Sequence, residues 1–252
     1  MTFTNSSRFL SILTIVAIIG TLAVNSLSNF FPPGGKNVGE IANTTLSGVL
    51  ITPANYAFII WGVIYIGLIA YGVYQFQQRR RREIRQASGW LIAACVIQIG
   101  WIYLFTLQQF WLSVVAMLGI LFSLMQAYRA LEIGRFRVSS RRWWMAHAPF
   151  GLYLGWISVA TVVNVASALY ASGWSGWGLS DAAWTVIMLL VSGAIAALVI
   201  WRRIDPVFTG VFVWAYVAIL IRQQAVPSIW ITAAVVAAGL EFWWVYRKIS
   251  AD

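Results

Sequence analysis

Gln98, Asn164 and Glu241 each stand inside a long apolar stretch of this chain. A polar side chain in lipid is costly and generally has a partner or a task. For Gln98 and Asn164 two chemistries fit: a hydrogen bond between helices, worth about 0.6–2 kcal/mol, or a polar contact to a bound molecule. For Glu241 the choices are a carboxylate that reaches the membrane surface or pairs with Arg247, and a proton relay, for which no second acid or base stands in line. Aromatic residues surround the two amides at helical spacing. Tyr153, Trp156, Ala160 and Asn164 follow one another at steps of three and four and share one helix face. Trp61 has Tyr65 one turn on, and Trp101 has Phe105 one turn on and Gln98 about one turn back. Flat rings with a few polar edges suit a planar apolar ligand held by stacking and burial. Ordinary packing between helices produces the same pattern, so both readings stand at this point. Acid–base, nucleophilic and metal chemistry have little to build on. The chain has 1 His (His147), 1 Cys (Cys95) and 7 acidic residues scattered along it. Those numbers give no histidine cluster, no paired carboxylates and no intrachain disulfide, and an enzyme is the less favoured expectation.

The elements that must position these residues are membrane helices. At 61% hydrophobic, 10% charged and a mean hydropathy of +0.79, the composition is far from that of a soluble domain, where about a quarter of residues are charged. Apolar runs of spanning length predict an all-α polytopic helical bundle, and the alternating segments of a transmembrane β-barrel are absent. Eight spans are expected, at residues 9–27, 53–76, 90–107, 110–131, 149–172, 182–201, 207–221 and 227–246. The 6 prolines fall in loops or near helix starts in this division. Gly151 and Gly155 leave one edge of the fifth span bare for a neighbouring helix, and Gly193 with Ala197 and Ala234 with Ala238 offer similar edges. Residues 28–50 form the longest polar connection, a lid with Glu40 at its base. The net charge of +10 could suggest nucleic acid, but the arginines sit in short clusters between spans, so no nucleic-acid partner is expected. Arg8, clusters at 79–85 and 129–142, Arg202, Arg203, Arg247 and Lys248 fall on one side, with Lys36 and Arg222 on the other. The positive-inside rule then places both termini in the cytoplasm, in what is expected to be a bacterial inner membrane. Most of the 15 tryptophans lie near span ends and fit interfacial belts. Trp61, Trp101 and Trp156 lie inside spans.

These stretches resemble the tryptophan-rich sensory protein family, also called the translocator protein or peripheral-type benzodiazepine receptor family. Its second-helix pattern, Pro-x-Trp-Val-x-x-x-Val-Trp-x-x-x-Tyr, is met by Pro53, Trp61 and Tyr65, with Asn55 in place of the family's first tryptophan. Its third-helix pattern, Asn-x-x-Trp-x-x-x-Phe, is met by Trp101 and Phe105 with Gln98 in place of the asparagine. The fifth helix is similar to Pro-Tyr-Leu-x-Trp-x-x-Phe-Ala-Thr-x-x-Asn through Tyr153, Leu154, Trp156, Ala160, Thr161 and Asn164. The resemblance covers residues 1–172 and implies a five-helix core, with 173–252 as a three-helix extension. It further implies a membrane receptor or carrier for a tetrapyrrole such as a porphyrin, often dimeric, with ligand-binding residues Tyr56, Trp61, Tyr65, Trp101, Phe105, Trp156, Ala160 and Asn164. On that reading Tyr65 and Asn164 supply the orienting hydrogen bonds and no covalent cofactor is needed. Breakdown of porphyrin, reported for some members, is in doubt because Asn55 replaces a tryptophan. The family's sterol motif is not met, since no basic residue follows Tyr170. An accessory subunit of a larger membrane complex is the alternative, favoured by the three added spans. The expected partners are thus membrane lipid, a hydrophobic small molecule, and a second copy or a larger complex.

Overall fold

The computed structural model of the chain describes residues 2–250, with side chains from residue 7 onward. Its helices are α1 (Thr2–Phe30), the short α2 (Val38–Asn43), α3 (Ile60–Gln77), α4 (Arg82–Thr106), α5 (Phe110–Ala130), α6 (Ala148–Ala171), α7 (Asp181–Arg202), α8 (Pro206–Arg222) and α9 (Pro227–Ile249). A 3-10 turn, Asn55–Ile59, leads into α3, and a π turn, Trp143–His147, leads into α6. No strand is present among the described residues. Among the described residues seven helices are long and apolar enough to cross a bilayer. The eighth expected span, α8, has 17 residues and a length of about 26 Å at 1.5 Å per residue, the short end of what spans a membrane.

The helix ends follow from local chemistry. Asn37 caps α2 in a reciprocal box with Glu40, and Ser180 and Asp205 cap α7 and α8 with their side-chain oxygens. Pro206 and Pro227 occupy first-turn positions, where a missing N–H costs nothing.

The chain is built around α6. Of its apolar window 61% is buried, against 22% for α1 and for α9, which places α6 on the axis and α1 and α9 at the rim. It packs against α3, α5 and α8. Gly151 and Gly155 make the α8 contact: a Cβ on Gly151 would lie 2.5 Å from an Asp205 carboxylate oxygen, and one on Gly155 3.0 Å from Val211 Cβ. Gly193 similarly receives Val236 of α9 at 2.5 Å. These small-residue edges are therefore used within the chain. α7, α8 and α9 share one continuous buried core with the first six helices. Apolar side chains such as Val16, Ile66, Val115, Ile195 and Phe242 point outward, as a lipid-facing surface requires.

The arginine clusters gather at one end of the bundle. Arg141 bonds Gln77, Arg142 approaches Glu83 at 3.6 Å, Arg203 donates to the Ile133 carbonyl and Arg247 to that of Trp201. Arg247 is thereby turned away from Glu241, which is exposed and makes no ion pair among the described residues. The expected Glu241–Arg247 pair fails for a geometric reason, since six residues at 100° each put the two side chains on different helix faces.

At the opposite end, residues 31–54 run across the helix tips as a strap. Its apolar residues Ile41, Leu46, Val49 and Ile51 are buried, so this lid is anchored by a small core of its own. Gly34 lies directly on the Thr106 carbonyl at the end of α4, where a Cβ would overlap the oxygen. Gly34→Ala must lift this part of the strap. Limited proteolysis should then cut the strap at least several-fold faster while the bundle's unfolding midpoint moves little, since exposed loops are the first sites nicked. Unchanged cleavage would show that Gly34 is not an anchor.

Candidate functional site

Beneath the strap three tryptophans from inside the spans meet. Trp61 of α3, Trp101 of α4 and Trp156 of α6 line one cavity of ≈ 550 Å³, within the roughly 300–1,000 Å³ range of small-molecule sites. A narrow inner lobe of ≈ 60 Å³ continues between α4, α6 and the strap. The two spaces share Val38, Phe58, Trp101, Trp156 and Ala160.

Each tryptophan is held by a second ring. Trp61 stacks on Tyr65 (centroids 5.8 Å apart) and meets Tyr153 edge-on at 6.0 Å. Trp101 stacks on Phe105 at 5.1 Å, and Phe105 meets Phe110 at 5.4 Å. Trp156 meets Phe58 edge-on at 5.9 Å. Trp101 is fixed further by a hydrogen-bond chain across three helices. Its indole Nε1 donates to Asn164 Oδ1 (2.7 Å), Asn164 Nδ2 donates to Ser113 Oγ (2.9 Å), and Ser113 donates to the Phe110 carbonyl (2.7 Å). Both ends of the Asn164 amide are thus engaged by protein. Gln98 accepts from the Tyr153 hydroxyl at 3.3 Å, while its Nε2 and the Tyr65 hydroxyl are buried without a partner among the described residues.

The rim is polar. Asn25, Ser28 and Asn29 come from the end of α1, Asn37, Glu40, Asn43 and Thr44 from the strap, and Asn55 from the 3-10 turn. Asn43 Nδ2 donates to Asn55 Oδ1 at 2.9 Å and ties the strap to the mouth of α3. Glu40 accepts from the Asn37 backbone N–H at 2.8 Å, so its carboxylate is committed to the cap of α2 even as it lines the cavity.

Of the residues expected at a site, Trp61, Trp101, Trp156 and Ala160 line the main cavity, and Phe105 and Asn164 line the inner lobe beside Trp101, Trp156 and Ala160. Tyr65 lies behind Trp61, outside the lining. Tyr56 turns the other way and meets Trp214 of α8 edge-on at 5.1 Å. Asn164 spends both ends of its amide on Trp101 and Ser113, and Tyr65 backs Trp61 with its hydroxyl unpartnered among the described residues. Phe58, Met117 and the asparagine rim were not anticipated. The rim had a signal in Asn25, Ser28 and Asn29, whose spacing of three and four puts them on one face of α1.

The fold and this cavity define a polytopic helical membrane protein with a strapped, aromatic-walled chamber. A family model described as TSPO-like protein matches residues 11–246, and the chain belongs to that family. The match runs through α7, α8 and most of α9 as well as the first six helices. No match was found among curated proteins or among solved structures.

Proposed function

We propose that this membrane protein is a receptor or carrier for a planar hydrophobic ligand of the tetrapyrrole class, bound in the chamber beneath the strap. The observation that carries the reading is the convergence of Trp61, Trp101 and Trp156, from three different helices, on one cavity with an amide-lined rim. Ring faces supply stacking and burial for a flat apolar body. The asparagine amides can donate to or accept from a ligand's polar edge, because each carries both functions. Glu40 is the one ionisable side chain in the lining and is held in a helix cap, which favours binding over catalysis. The basic end would face the cytoplasm and the strap the opposite side, as the positive-inside rule directs; a bacterial inner membrane fits this arrangement.

Quenching of tryptophan fluorescence by protoporphyrin tests the proposal in purified protein. Saturable quenching at micromolar ligand or below is expected for the wild type, with affinity about tenfold or more weaker in Trp156→Ala and in Trp101→Ala. Linear quenching of equal slope in all three proteins would mean partitioning into the micelle and would sink the reading in favour of an accessory role in a larger complex.

A further inference from the structure

A second cavity, ≈ 270 Å³, lies at the strap end between α6, α7 and the strap, separate from the chamber and sharing none of its lining residues. We propose that it binds an alkylated ammonium group, such as the trimethylammonium of a choline compound. Its lining includes Tyr170, Trp174, Trp184, Leu50 and Met188, and Asp181 is its one acidic side chain.

Three tryptophans build the wall. Trp174 and Trp184 stand 4.8 Å apart with their planes at 57°, and Trp177 braces both from outside at 5.5 and 5.8 Å. The Trp184 Nε1 donates to the Gly176 carbonyl at 2.6 Å, so the indole has no free N–H to offer and presents only its ring to the cavity. Trp177 adopts φ 50°, a left-handed conformation that is costly for a bulky residue, and the residue is 80% exposed. An ordinary interfacial tryptophan requires no such backbone.

The charge matches the rings. The Asp181 carboxylate makes no ion pair among the described residues. Its place in the first turn of α7 also complements the helix dipole, but that role needs no aromatic wall. Aromatic faces beside a carboxylate attract a cation. Leu50 and Met188 beside the rings favour a quaternary ammonium, whose methyl groups need no acceptor, over a primary one, for whose three N–H donors the lining side chains offer only Asp181 and Thr185. The trimethylammonium can come from a lipid headgroup or from a free solute.

The two sources separate in one experiment, with fluorotryptophan-labelled full-length protein followed by fluorine NMR. The resonances of Trp174 and Trp184 are assigned from single Trp→Phe variants. In phosphatidylglycerol nanodiscs, tetramethylammonium chloride should move both resonances saturably while the same concentration of sodium chloride does not. Asp181→Asn should weaken the response about tenfold, Asp181→Glu should retain it, and Trp184→Leu should abolish it. In phosphatidylcholine nanodiscs the resonances start at their shifted positions if the headgroup is the occupant, and respond to added tetramethylammonium as before if a free cation is. A linear response, an equal response to sodium, or full binding by Asp181→Asn overturns the proposal. Protoporphyrin quenching on the same samples reports the chamber independently, so failure at either site leaves the other reading intact.

Discussion

Asp205→Ala should lower the stability of the bundle by about 2–4 kcal/mol, from a lost helix cap and an orphaned tyrosine together. Asp205 is buried at the basic end, in the connection between α7 and α8. Its Oδ1 accepts from the backbone N–H groups of Val207 (2.9 Å) and Phe208 (3.2 Å), and its Oδ2 accepts from the Tyr128 hydroxyl of α5 (2.9 Å). Gly151 of α6 lies against the same carboxylate. One side chain therefore joins α5, α6 and α8. Alanine removes the cap, typically about 1 kcal/mol, and leaves Tyr128 buried and unpaired, which adds roughly 1–3 kcal/mol. Asp205→Asn keeps an oxygen for the cap and an amide that can donate to Tyr128, so it should cost much less. Burial pushes the Asp205 carboxyl above its ordinary range, against the opposing pull of the Phe208, Tyr128 and Val207 hydrogen bonds. The folded state then holds the proton more tightly than the unfolded chain. That contribution is complete below the unfolded value of ~3.9 and declines as pH rises through the raised folded value. The wild-type unfolding midpoint in detergent, measured relative to Asp205→Asn, should accordingly increase as pH falls from neutrality. An alanine variant as stable as wild type would show that Asp205 holds nothing together, and a difference independent of pH would show that folding leaves its proton affinity unchanged.

Much of the bundle was legible because its punctuation is local. Prolines, N-caps and arginine clusters mark helix ends through chemistry confined to a few residues, and the chain's apolar runs have nowhere to go but lipid. The membership of Trp61, Trp101 and Trp156 in one cavity was also foreshadowed, since helical spacing sets the face on which a ring sits. Two features resisted. The first is the start of α3. A continuous α-helix from Pro53 does not bring Asn55, Phe58 and Trp61 to one face, but the 3-10 turn has three residues per turn and eclipses positions three apart. The turn aligns Asn55 with Phe58, Trp61 follows in the first turn of α3, and all three line the chamber, while Tyr56 swings to Trp214. The turn sits where the backbone is tied to α8, through Ala54 N–H to the Ala218 carbonyl (3.1 Å) and Trp214 Nε1 to the Ala57 carbonyl (3.2 Å). Nothing within residues 53–65 announces partners more than 150 positions away. The second is Asn164. A mid-span amide reads the same whether it holds a ligand or a neighbouring helix, and only the positions of Trp101 and Ser113 decide between them.

Asn164→Leu tests that decision and should weaken both the bundle and the chamber. The substitution conserves bulk, so its consequences come from lost hydrogen bonds. Trp101 would keep a buried N–H with no acceptor, and Ser113 would lose the donor it now receives. Interhelical hydrogen bonds in membranes average about 0.6 kcal/mol and reach about 1.7, while an orphaned buried donor costs about 1–3 kcal/mol. The orphan is the larger cost here, because the Trp101 indole N–H is buried where it meets Asn164. A destabilisation of about 1–3 kcal/mol follows. Ligand affinity should fall further than stability alone would suggest, since the ring released from its anchor is a wall of both the chamber and its inner lobe. Protoporphyrin quenching should weaken about tenfold, a loss of ~1.4 kcal/mol, even in protein that remains folded. Ser113→Ala supplies the control. It cuts the chain beyond Asn164, leaves the Trp101–Asn164 bond in place, and should lower stability by under about 1 kcal/mol with little change in quenching. If Ser113→Ala and Asn164→Leu lower affinity equally, the chain acts through general loosening of the α4–α5–α6 packing. If Asn164→Leu alone does so, the amide's task is to hold one indole at the angle the chamber requires.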